Sequence, residues 1–418
     1  MKPPGKLSLP PQIKRYAAQV ATNANLMSQY LENENSGSVD ELAAAKTKLA
    51  EAAFELLNIS RDTGSFLVHL TVDYQVICAF RWLCQFNIPR LVPLDGTITH
   101  GELARAAGAH EGLLTSALRL VMTSRMFEEP EPGLVAHSPV SRQMAADDSI
   151  AHWTQYISNT IVPTAASHME ATEKWPNSRE VNNTAHNIAF NHNLPYFDFV
   201  SQDAGRGIEF ARTMQAVSNT SYFDNSLLVK SYDWASIGEG LVVDMGGSTG
   251  HASIALAETF PDLKFIVQDL PDVSTDGAKR LDDRKLPLSI ASRIQFQGHS
   301  FFNQQPIKGA SIYLLRHILH DWPDKEAVQI LRNIIPVLGP KSRIIVSDII
   351  LPEPGSIPAI EERVMRLNDL LLHQFTNTSE RTLQDWRSIV AEASEKLCIQ
   401  KVYRHPGSTL SLMELTSA

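Results

Sequence analysis

The sequence contains few cysteines, since only Cys78, Cys84 and Cys398 occur among its 418 residues. No two of them form a CxxC pair, and an odd number of scattered cysteines is not the pattern of a disulfide framework. Unpaired cysteines commonly pack as small, buried apolar side chains, and we expect this of all three. The absence of a disulfide framework favours a reducing compartment and hence a cytoplasmic protein.

Basic side chains are in the minority. The chain has 37 lysines and arginines against 46 aspartates and glutamates, which gives a formal net charge of −9. An acidic chain repels nucleic-acid phosphates and anionic lipid headgroups unless a local basic patch overrides the mean charge. The composition therefore argues against nucleic acid and membranes as partners.

The chain also lacks an uninterrupted apolar run of membrane-spanning length. Its longest apolar stretch, residues 66–86, is interrupted by polar side chains: His69, Asp73, Gln75, Arg81 and Gln85. A bilayer-spanning helix needs about 20 mostly apolar residues, so this stretch predicts one or two core helices instead. From residues 1–4 onward the N-terminus has no apolar h-region, and it does not resemble a secretory signal peptide.

At the start of the chain, helical periodicity predicts one helix over residues 12–32 and a second helix through Leu42 and Leu57. Thr99 and Glu102 then form a capping-box pattern that begins a short helix, which Gly108 ends. A second helix and two short strands around a Pro-Glu-Pro-Gly turn follow, and this order is typical of a winged helix. We expect residues 1–145 to form a mainly helical, winged-helix dimerisation domain.

Because winged helices elsewhere bind DNA, a non-catalytic DNA-binding or scaffold protein is one alternative. The helix that would contact DNA, residues 111–126, begins with an acid and offers only Arg119 and Arg125 as basic side chains. A DNA-binding helix needs phosphate-neutralising and base-contacting side chains along its length. The sequence favours dimerisation for this segment.

Residues 146–235 have a helical pattern rich in aromatic side chains, and we expect a connector that contributes to a flat, apolar substrate pocket. From residue 236 to 418 the pattern alternates between helices and short, apolar, β-branched strands. Four strands are predicted, at residues 241–243, 265–267, 311–315 and 343–346. This alternation predicts an α/β fold with a mostly parallel sheet covered by helices on both faces.

The first of these strands ends in a glycine-rich loop, residues 244–250 (DMGGSTG), that leads into a helix. The spacing is not GxGxxG, and no GK[ST] follows, which disfavours dinucleotide and P-loop sites. Asp269 ends the second strand, where an acid can accept both hydroxyls of a ribose. The competing interpretation of Asp269 is a turn or helix-capping aspartate.

The third strand runs into the segment Arg316-His317-Ile318-Leu319-His320-Asp321-Trp322. In open α/β sheets the carboxyl ends of the strands border the ligand crevice, so His320 is placed for chemistry. Two acids are candidates to orient its ring: Asp348, near the end of the next strand, and Glu380. Asp324 is expected to cap the helix that follows.

Together these motifs resemble the plant- and fungal-type small-molecule O-methyltransferases, which include caffeate and flavonoid enzymes. The resemblance covers about residues 65–410. It rests on the winged-helix segment, the glycine loop and three short motifs: Asp269-Leu270-Pro271, His320-Asp321-Trp322 and Glu380-Arg381-Thr382. It implies a Rossmann-like, doubly wound class I methyltransferase fold, S-adenosylmethionine as cofactor, no metal, a small phenolic or polyketide-type acceptor and a homodimer.

The resemblance also implies roles for individual residues. His320 would be the general base that removes a hydroxyl proton, with Asp348 and Glu380 flanking it. Three side chains would line the acceptor pocket: Phe210, Met214 and His373. Eight residues would bind the cofactor: Gly246, Gly247, Gly250, Asp269, Leu270, Ser300, Phe301 and Arg316.

Several positions depart from the family pattern. Ser248 stands where a glycine is common, Asp348 where glutamate is common and Arg316 where lysine is usual. His299 replaces an acid that contacts the adenine amine. The loop at residues 376–379 lacks the two glycines of the family, which predicts a different pocket rim.

A second alternative concerns chemistry rather than fold. Some fungal proteins of this fold bind S-adenosylmethionine without transferring its methyl group, and promote pericyclic or dehydration reactions on polyketide-derived substrates. His320 with its two candidate acids favours methyl transfer, whereas His299 and the altered rim leave this alternative open. The mass of the product separates the two, because methyl transfer adds a methyl group.

Overall fold

The computed structural model describes residues 9–32, 39–220, 222–405 and 408–417. The prediction of no signal peptide concerns residues 1–4, which lie outside these ranges. Within them, no helix is both long and apolar enough to cross a membrane.

The N-terminal third is mainly helical. Its elements are α1 (Leu9–Glu32), α2 (Val39–Ser60), α3 (Thr63–Gln85), α4 (Ile88–Leu91), β1 (Ile98–Thr99), α5 (His100–Ala107), α6 (Glu111–Met122), β2 (Glu128–Glu131), β3 (Leu134–Ala136) and α7 (Pro139–Ala146). Thr99 and Glu102 form the predicted capping box at the start of α5, and Gly108 ends that helix with a φ of 64°. The strands form a small antiparallel sheet in the order β1-β3-β2. The helices and the strand hairpin predicted for a winged helix are thus all present, although α6 ends at Met122 rather than at Met126.

The structure corrects the prediction of a core helix at residues 66–86. The segment forms one helix, α3, but Leu83 is its only buried residue among those described. Several large apolar side chains on α3 are 36–63% exposed: Phe66, Leu67, Val68, Leu70, Val72, Tyr74 and Ile77. The apolar stretch identified a helix correctly, but it does not show what covers the apolar side chains.

Short helices connect this part to the large sheet. They are α8 (Asp148–Tyr156), a π-helical turn (Ile157–Ile161), α9 (Val162–Ala166), α10 (His168–Lys174), α11 (Ala185–Ala189), α12 (Tyr196–Ser201), α13 (Ala204–Ser218), α14 (Asn225–Ser231) and a 3₁₀ turn (Trp234–Ile237). Their aromatic side chains form a cluster around Tyr156, Tyr196 and Phe375, against which Phe197 and Phe210 pack.

In the remaining part, strands and helices mostly alternate up to the final two strands, and the described residues form eight strands where the sequence predicted four. The elements are β4 (Leu241–Met245), α15 (His251–Thr259), β5 (Lys264–Asp269), α16 (Pro271–Asp283), α17 (Leu288–Ala291), β6 (Ile294–Gly298), β7 (Ile312–Arg316), α18 (Asp324–Ile334), β8 (Arg343–Leu351), α19 (Ala359–Phe375), β9 (Arg381–Thr382), α20 (Leu383–Ala393), β10 (Leu397–Arg404) and β11 (Leu410–Ser417). Two 3₁₀ turns, Leu319–Asp321 and Ile335–Val337, flank α18.

The large sheet has the order β10-β11-β8-β7-β4-β5-β6, and β9 adds to β8. Strands β4 to β9 pair in parallel, whereas β10 and β11 are antiparallel. One hydrophobic cluster includes α18 and α20 on one face, and a second includes α14 and α15 on the other. The predicted doubly wound α/β fold is confirmed.

The chain order reverses at β4, which lies between β5 and β7. At such a point the loops after neighbouring strands diverge to opposite faces and leave a crevice at the strands' carboxyl ends. The glycine segment follows β4, Asp269 ends β5, and His320 lies in the turn after β7. The fold therefore brings the three sequence motifs to one place.

The prediction that all three cysteines are small buried side chains is wrong for Cys398, which is exposed; Cys78 and Cys84 are half-buried. Cys398 lies on β10, an edge strand of the sheet, where successive side chains point to opposite faces.

Candidate active site

The glycine loop after β4 is held against the end of β5. The N–H groups of Gly246 and Gly247 both donate to the carbonyl of Gln268, at 2.7 and 3.1 Å. A Cβ at Gly247 would lie 2.7 Å from Cγ of Asp244 and 2.7 Å from Cγ1 of Val267, so a side chain does not fit. Gly246 adopts a φ of 72°, a conformation that favours glycine.

Ser248 has a φ of 51°, which explains why a glycine is common at this position in the family. Its N–H donates to Oδ2 of Asp269 at 2.8 Å, and the N–H of Leu270 donates to Oδ1 at 2.8 Å. Burial raises the pKa of this carboxyl, and the two backbone N–H groups oppose that effect. Each oxygen keeps a further lone pair, so Asp269 can still accept a ligand hydroxyl.

His320 lies in the 3₁₀ turn after β7 and is only 8% exposed. Its Nδ1 atom is 2.9 Å from Oε1 of Glu380, and its Nε2 atom is 3.6 Å from Oδ1 of Asp321. Burial acts to lower the pKa of His320, but the carboxylates of Glu380, Asp321 and Asp348 outweigh burial and raise it to about 10.

Arg381 fixes the turn that carries His320. Its guanidinium donates to the carbonyl of Leu319 at 2.7 Å and to that of Trp322 at 2.7 Å. It also donates twice to Oδ1 of Asp324, at 3.0 and 2.8 Å. The prediction that Asp324 caps α18 is therefore wrong: Asp324 is the first helical residue, Pro323 occupies the N-cap position, and the carboxylate binds Arg381 instead.

Asp348 lies inside β8 and is fully buried. Neither carboxylate oxygen has a hydrogen-bond partner in the part of the chain that the structure describes, so Asp348 does not bind His320 as Glu380 does. Burial raises the pKa of Asp348 to about 7. Of the two acids predicted to flank His320, one contacts the ring and the other acts on it through its charge.

The other predicted cofactor residues differ in their contacts with the glycine loop and in their exposure to solvent. Phe301 lies 3.5 Å from the Cβ position of Gly246, and its ring packs against Trp322 at a centroid distance of 5.9 Å. Leu270 is 51% exposed, and Ser300 is half-buried. Arg316 is buried, and its guanidinium donates to the carbonyl of Phe223 at 2.7 Å.

His299, which replaces the family's adenine-contacting acid, lies just after β6. Its N–H donates to the carbonyl of Asp269 at 2.8 Å. The ring atom Nε2 is buried without a hydrogen-bond partner among the described residues. Burial lowers the pKa of His299, which favours the neutral ring.

The structure places two of the predicted acceptor residues together and the third elsewhere. Phe210 and Met214 lie one turn apart on α13, and the ring of Phe210 packs in the aromatic cluster. His373, on α19, instead lines a cavity of about 240 Å³ with Trp175 and Asn377. No member of the aromatic cluster lines that cavity.

Sequence reasoning did not single out the pair formed by Tyr156 and Tyr196. Their hydroxyl oxygens are 2.5 Å apart, and burial raises the pKa of both phenols. Phe197 of the same cluster stacks on Trp322, with ring centroids 6.0 Å apart, and so joins the cluster to the turn that carries His320. No local pattern pairs two tyrosines that are 40 residues apart.

Comparison with known proteins settles the family. The profile of the O-methyltransferase domain family matches residues 177–394. The O-methyltransferase aunD of Aspergillus niger is 56% identical over 412 residues, which cover 96% of this chain and 97% of that protein. The chain belongs to the O-methyltransferase family. It is an enzyme that depends on S-adenosylmethionine, as the sequence motifs predicted.

Solved structures agree with this O-methyltransferase fold. OxaC in complex with sinefungin and meleagrin superposes with a TM-score of 0.77 at 25% identity, over 97% of this chain and 99% of that chain. A protein described as a pericyclic reaction enzyme superposes with a TM-score of 0.77 at 23% identity, over 96% of this chain and all of the other. At that identity the second likeness shows the fold alone.

The residues of this O-methyltransferase fit its cofactor. A Cβ at Gly247 would clash with Asp244 and Val267, and one at Gly246 would displace the end of the Ile318 side chain, so the loop presents main-chain atoms at these two positions. Beside it lies the half-buried carboxylate of Asp269, a suitable acceptor for ribose hydroxyls.

Proposed function

We propose that this O-methyltransferase methylates a hydroxyl group of a small aromatic or polyketide-type secondary metabolite, with His320 as the general base. The observation that carries the proposal is the contact of 2.9 Å between Nδ1 of His320 and Glu380. This contact engages Nδ1, so the acceptor would approach Nε2, which lies 3.6 Å from Oδ1 of Asp321. Asp348 and Glu380 then stabilise the positive charge that the ring acquires.

The cofactor, when bound, supplies a methyl group on a positively charged sulfonium. A phenol has a pKa near 10 and is a weak nucleophile at neutral pH, so its proton must leave as the oxygen attacks. His320 takes that proton at Nε2. The surrounding carboxylates favour the protonated ring. A neighbouring cation lowers the pKa of an imidazole, so we expect a bound sulfonium to favour the neutral base.

Residues around the glycine loop would hold the cofactor. We assign direct contacts to Gly246, Gly247, Gly250, Asp269, Leu270, Ser300 and Phe301. Arg316 would act as a buried cation that offsets the charge of Asp244, because the two side chains interact electrostatically. No resident metal is needed for this chemistry.

The acceptor would lie between the aromatic cluster and His320. Phe210 and Met214 come from α13, and the stacking of Phe197 on Trp322 places the cluster beside the catalytic turn. Aromatic walls suit flat ligands and exclude water. His373 would line the outer rim, since it borders a cavity that the cluster does not reach.

The decisive experiment is methyl transfer from isotopically labelled S-adenosylmethionine to a panel of phenolic and polyketide acceptors, followed by mass spectrometry. Wild-type protein should give a product heavier by one labelled methyl group, and His320→Ala should give none while it still binds the cofactor in calorimetry. Turnover by the variant within a few-fold of wild type would remove His320 as the base. A product of unchanged mass would favour pericyclic or dehydration chemistry instead.

We also propose a homodimer that acts in the cytoplasm, with residues 1–145 as the dimerisation domain, 146–235 as the connector and 236–418 as the catalytic domain. The exposed apolar side chains of α3 support self-association, because contiguous exposed apolar surface commonly marks a protein–protein interface. Sedimentation equilibrium should show a dimer, and the double variant Leu67→Glu, Val68→Glu should be monomeric. A wild-type monomer would contradict this assignment without affecting that of His320.

A further inference from the structure

Three side chains form a donor cluster at the carboxyl ends of β7 and β8. One metal-binding atom from each of His317, His320 and Asp348 lies within 4.8 Å of those of the other two. His320 and Asp348 are buried, and His317 is half-buried. Two imidazoles and one carboxylate are the donors that borderline divalent ions such as Zn²⁺ prefer.

The carboxylate of Asp348 in this cluster lacks a bonding partner among the described residues. Both of its carboxylate oxygens are buried and lack a hydrogen-bond partner among the described residues. A buried charge without a partner is costly, and native proteins normally compensate it with hydrogen bonds, ions or metals. The structure thus contains a fully buried oxygen donor beside two histidines and nothing from the described chain to satisfy it.

His317 provides a second, independent observation. Its φ is 54°, a left-handed conformation that is unfavourable for a non-glycine residue. The backbone is held there by a hydrogen bond of 3.1 Å from the His317 N–H to the carbonyl of Ser347. The turn brings its ring to a centroid distance of 5.4 Å from that of His320. Strained residues of this kind concentrate at functional sites.

The third donor, His320, is already oriented by its contact with Glu380. Glu380 contacts Nδ1 of His320, which leaves Nε2 as the nitrogen with a free lone pair when the ring is neutral. A carboxylate on the opposite ring nitrogen is the arrangement that fixes metal-binding histidines in other proteins.

We propose that His317, His320 and Asp348 bind a borderline divalent cation, with Zn²⁺ as the best-suited probe, in competition with the acceptor hydroxyl. A cation at Nε2 of His320 occupies the lone pair that would take the acceptor's proton, so the metal-bound enzyme is inactive. The competition with the acceptor rests on the proposed function, whereas the binding of the cation does not. The site is inhibitory and is not part of the methyl-transfer reaction.

Binding is tested on the full chain after dialysis against a chelator. Zinc chloride is titrated by calorimetry, and cobalt(II) chloride is added in parallel so that its visible absorption reports nitrogen and oxygen ligands. We expect one equivalent of either ion to bind. His317→Asn keeps a residue that tolerates a positive φ but removes the imidazole, and it should weaken zinc binding at least tenfold. Asp348→Asn should do the same.

His69→Ala is the matched control, because it removes an exposed histidine on α3. It should leave the zinc affinity unchanged. Equal zinc affinity in wild type, His317→Asn and Asp348→Asn would overturn the proposed site. Thermal unfolding of each variant verifies that a loss of affinity does not reflect a loss of fold.

Competition is tested by methyl-transfer assays at increasing acceptor concentration. Zinc should raise the apparent KM of the acceptor, a chelator should reverse the effect, and His317→Asn should be resistant to zinc while His69→Ala is not. Zinc inhibition that is equal in His317→Asn and wild type would overturn the proposal and leave methyl transfer intact. Loss of turnover in the chelator alone would instead contradict the role of His320 as the base.

Discussion

Nδ1 of His320 lies 2.9 Å from Oε1 of Glu380, and this contact joins residues that are 60 positions apart in the chain. Glu380 is itself held in place, because its N–H donates to Oδ1 of Asp369 on α19 at 2.9 Å. Arg381, the next residue, binds the carbonyls on both sides of the His320 turn. The short segment after α19 thus sets both the orientation and the charge of the imidazole.

Glu380→Gln removes the negative charge beside His320 but keeps a side chain of the same length. The carboxylate of Glu380 raises the pKa of His320, so its loss should lower that pKa and let the ring deprotonate at lower pH. We expect the rising limb of kcat/KM against pH to move about one unit to lower pH, and the plateau to fall roughly tenfold as the orienting contact weakens. Glu395→Gln, at an exposed position, should leave the profile unchanged. If the rising limb of the pH profile does not move in Glu380→Gln, the carboxylate of Glu380 does not set the pKa of His320.

Asp348→Asn should make the fold more stable at alkaline pH. Burial raises the pKa of Asp348 from 3.8 to about 7 in the folded chain, so the folded state binds more protons than the unfolded state between these values. Wild-type stability contributed by this group therefore falls as pH rises from about 4 to about 7. The variant cannot ionise, and we expect it to exceed wild type by roughly 1–3 kcal/mol at pH 8 and to match it near pH 4.

Urea unfolding at several pH values measures this difference. Methyl transfer should nevertheless be slower in Asp348→Asn, because the charge that stabilises protonated His320 is gone. A stability difference that does not change between pH 4 and pH 8 would mean that Asp348 is not an ionising group in this window.

The central strands and the glycine loop could be predicted because their signals are local. Strands such as β7 are buried along their whole length and are apolar almost throughout. Gly247 is required by clashes with Asp244, three positions earlier, and with Val267 on the neighbouring strand. The order of the motifs along the chain then placed them at one edge of the sheet.

The features that the sequence did not predict correctly all depend on residues that are far apart in the chain. Asp324 has the sequence position of a capping residue, but Arg381, 57 positions later, takes its carboxylate. The apolar stretch of α3 predicts a helix but cannot show that its apolar side chains stay exposed in the single chain. Tyr156 and Tyr196 meet only through the packing of α8 against α13 and of α13 against α12.

Gly247→Ala should damage the cofactor site more than the fold as a whole. The new methyl group would lie 2.7 Å from Asp244 Cγ and Val267 Cγ1, so the loop must move away from the sheet. We expect the affinity for S-adenosylmethionine to fall at least tenfold, with a loss of about 1–3 kcal/mol in the free energy of unfolding. Gly207→Ala is the matched control, because a Cβ there meets nothing within 4 Å. Calorimetry that shows equal cofactor affinity in both variants would reject the proposed loop contact.

The hydroxyl pair of Tyr156 and Tyr196 offers a test by double-mutant cycle. Both rings are buried, and their oxygens are 2.5 Å apart. Replacing one tyrosine by phenylalanine leaves the other hydroxyl buried without its partner, which should cost about 1–3 kcal/mol in the free energy of unfolding. Replacing both removes the orphaned group as well, so the double variant should be more stable than the sum of the single changes predicts.

The same three variants show whether the pair faces the acceptor. If the hydroxyls contact it, the apparent KM for the acceptor should rise in the double variant even though much of its stability is recovered, while the affinity for S-adenosylmethionine stays constant. Tyr232→Phe is a suitable control, because its hydroxyl donates to Glu414 on β11 and Tyr232 is not part of the aromatic cluster. An unchanged KM in the double variant would assign Tyr156 and Tyr196 to the packing of the connector alone, and would move the acceptor closer to Phe210 and Met214.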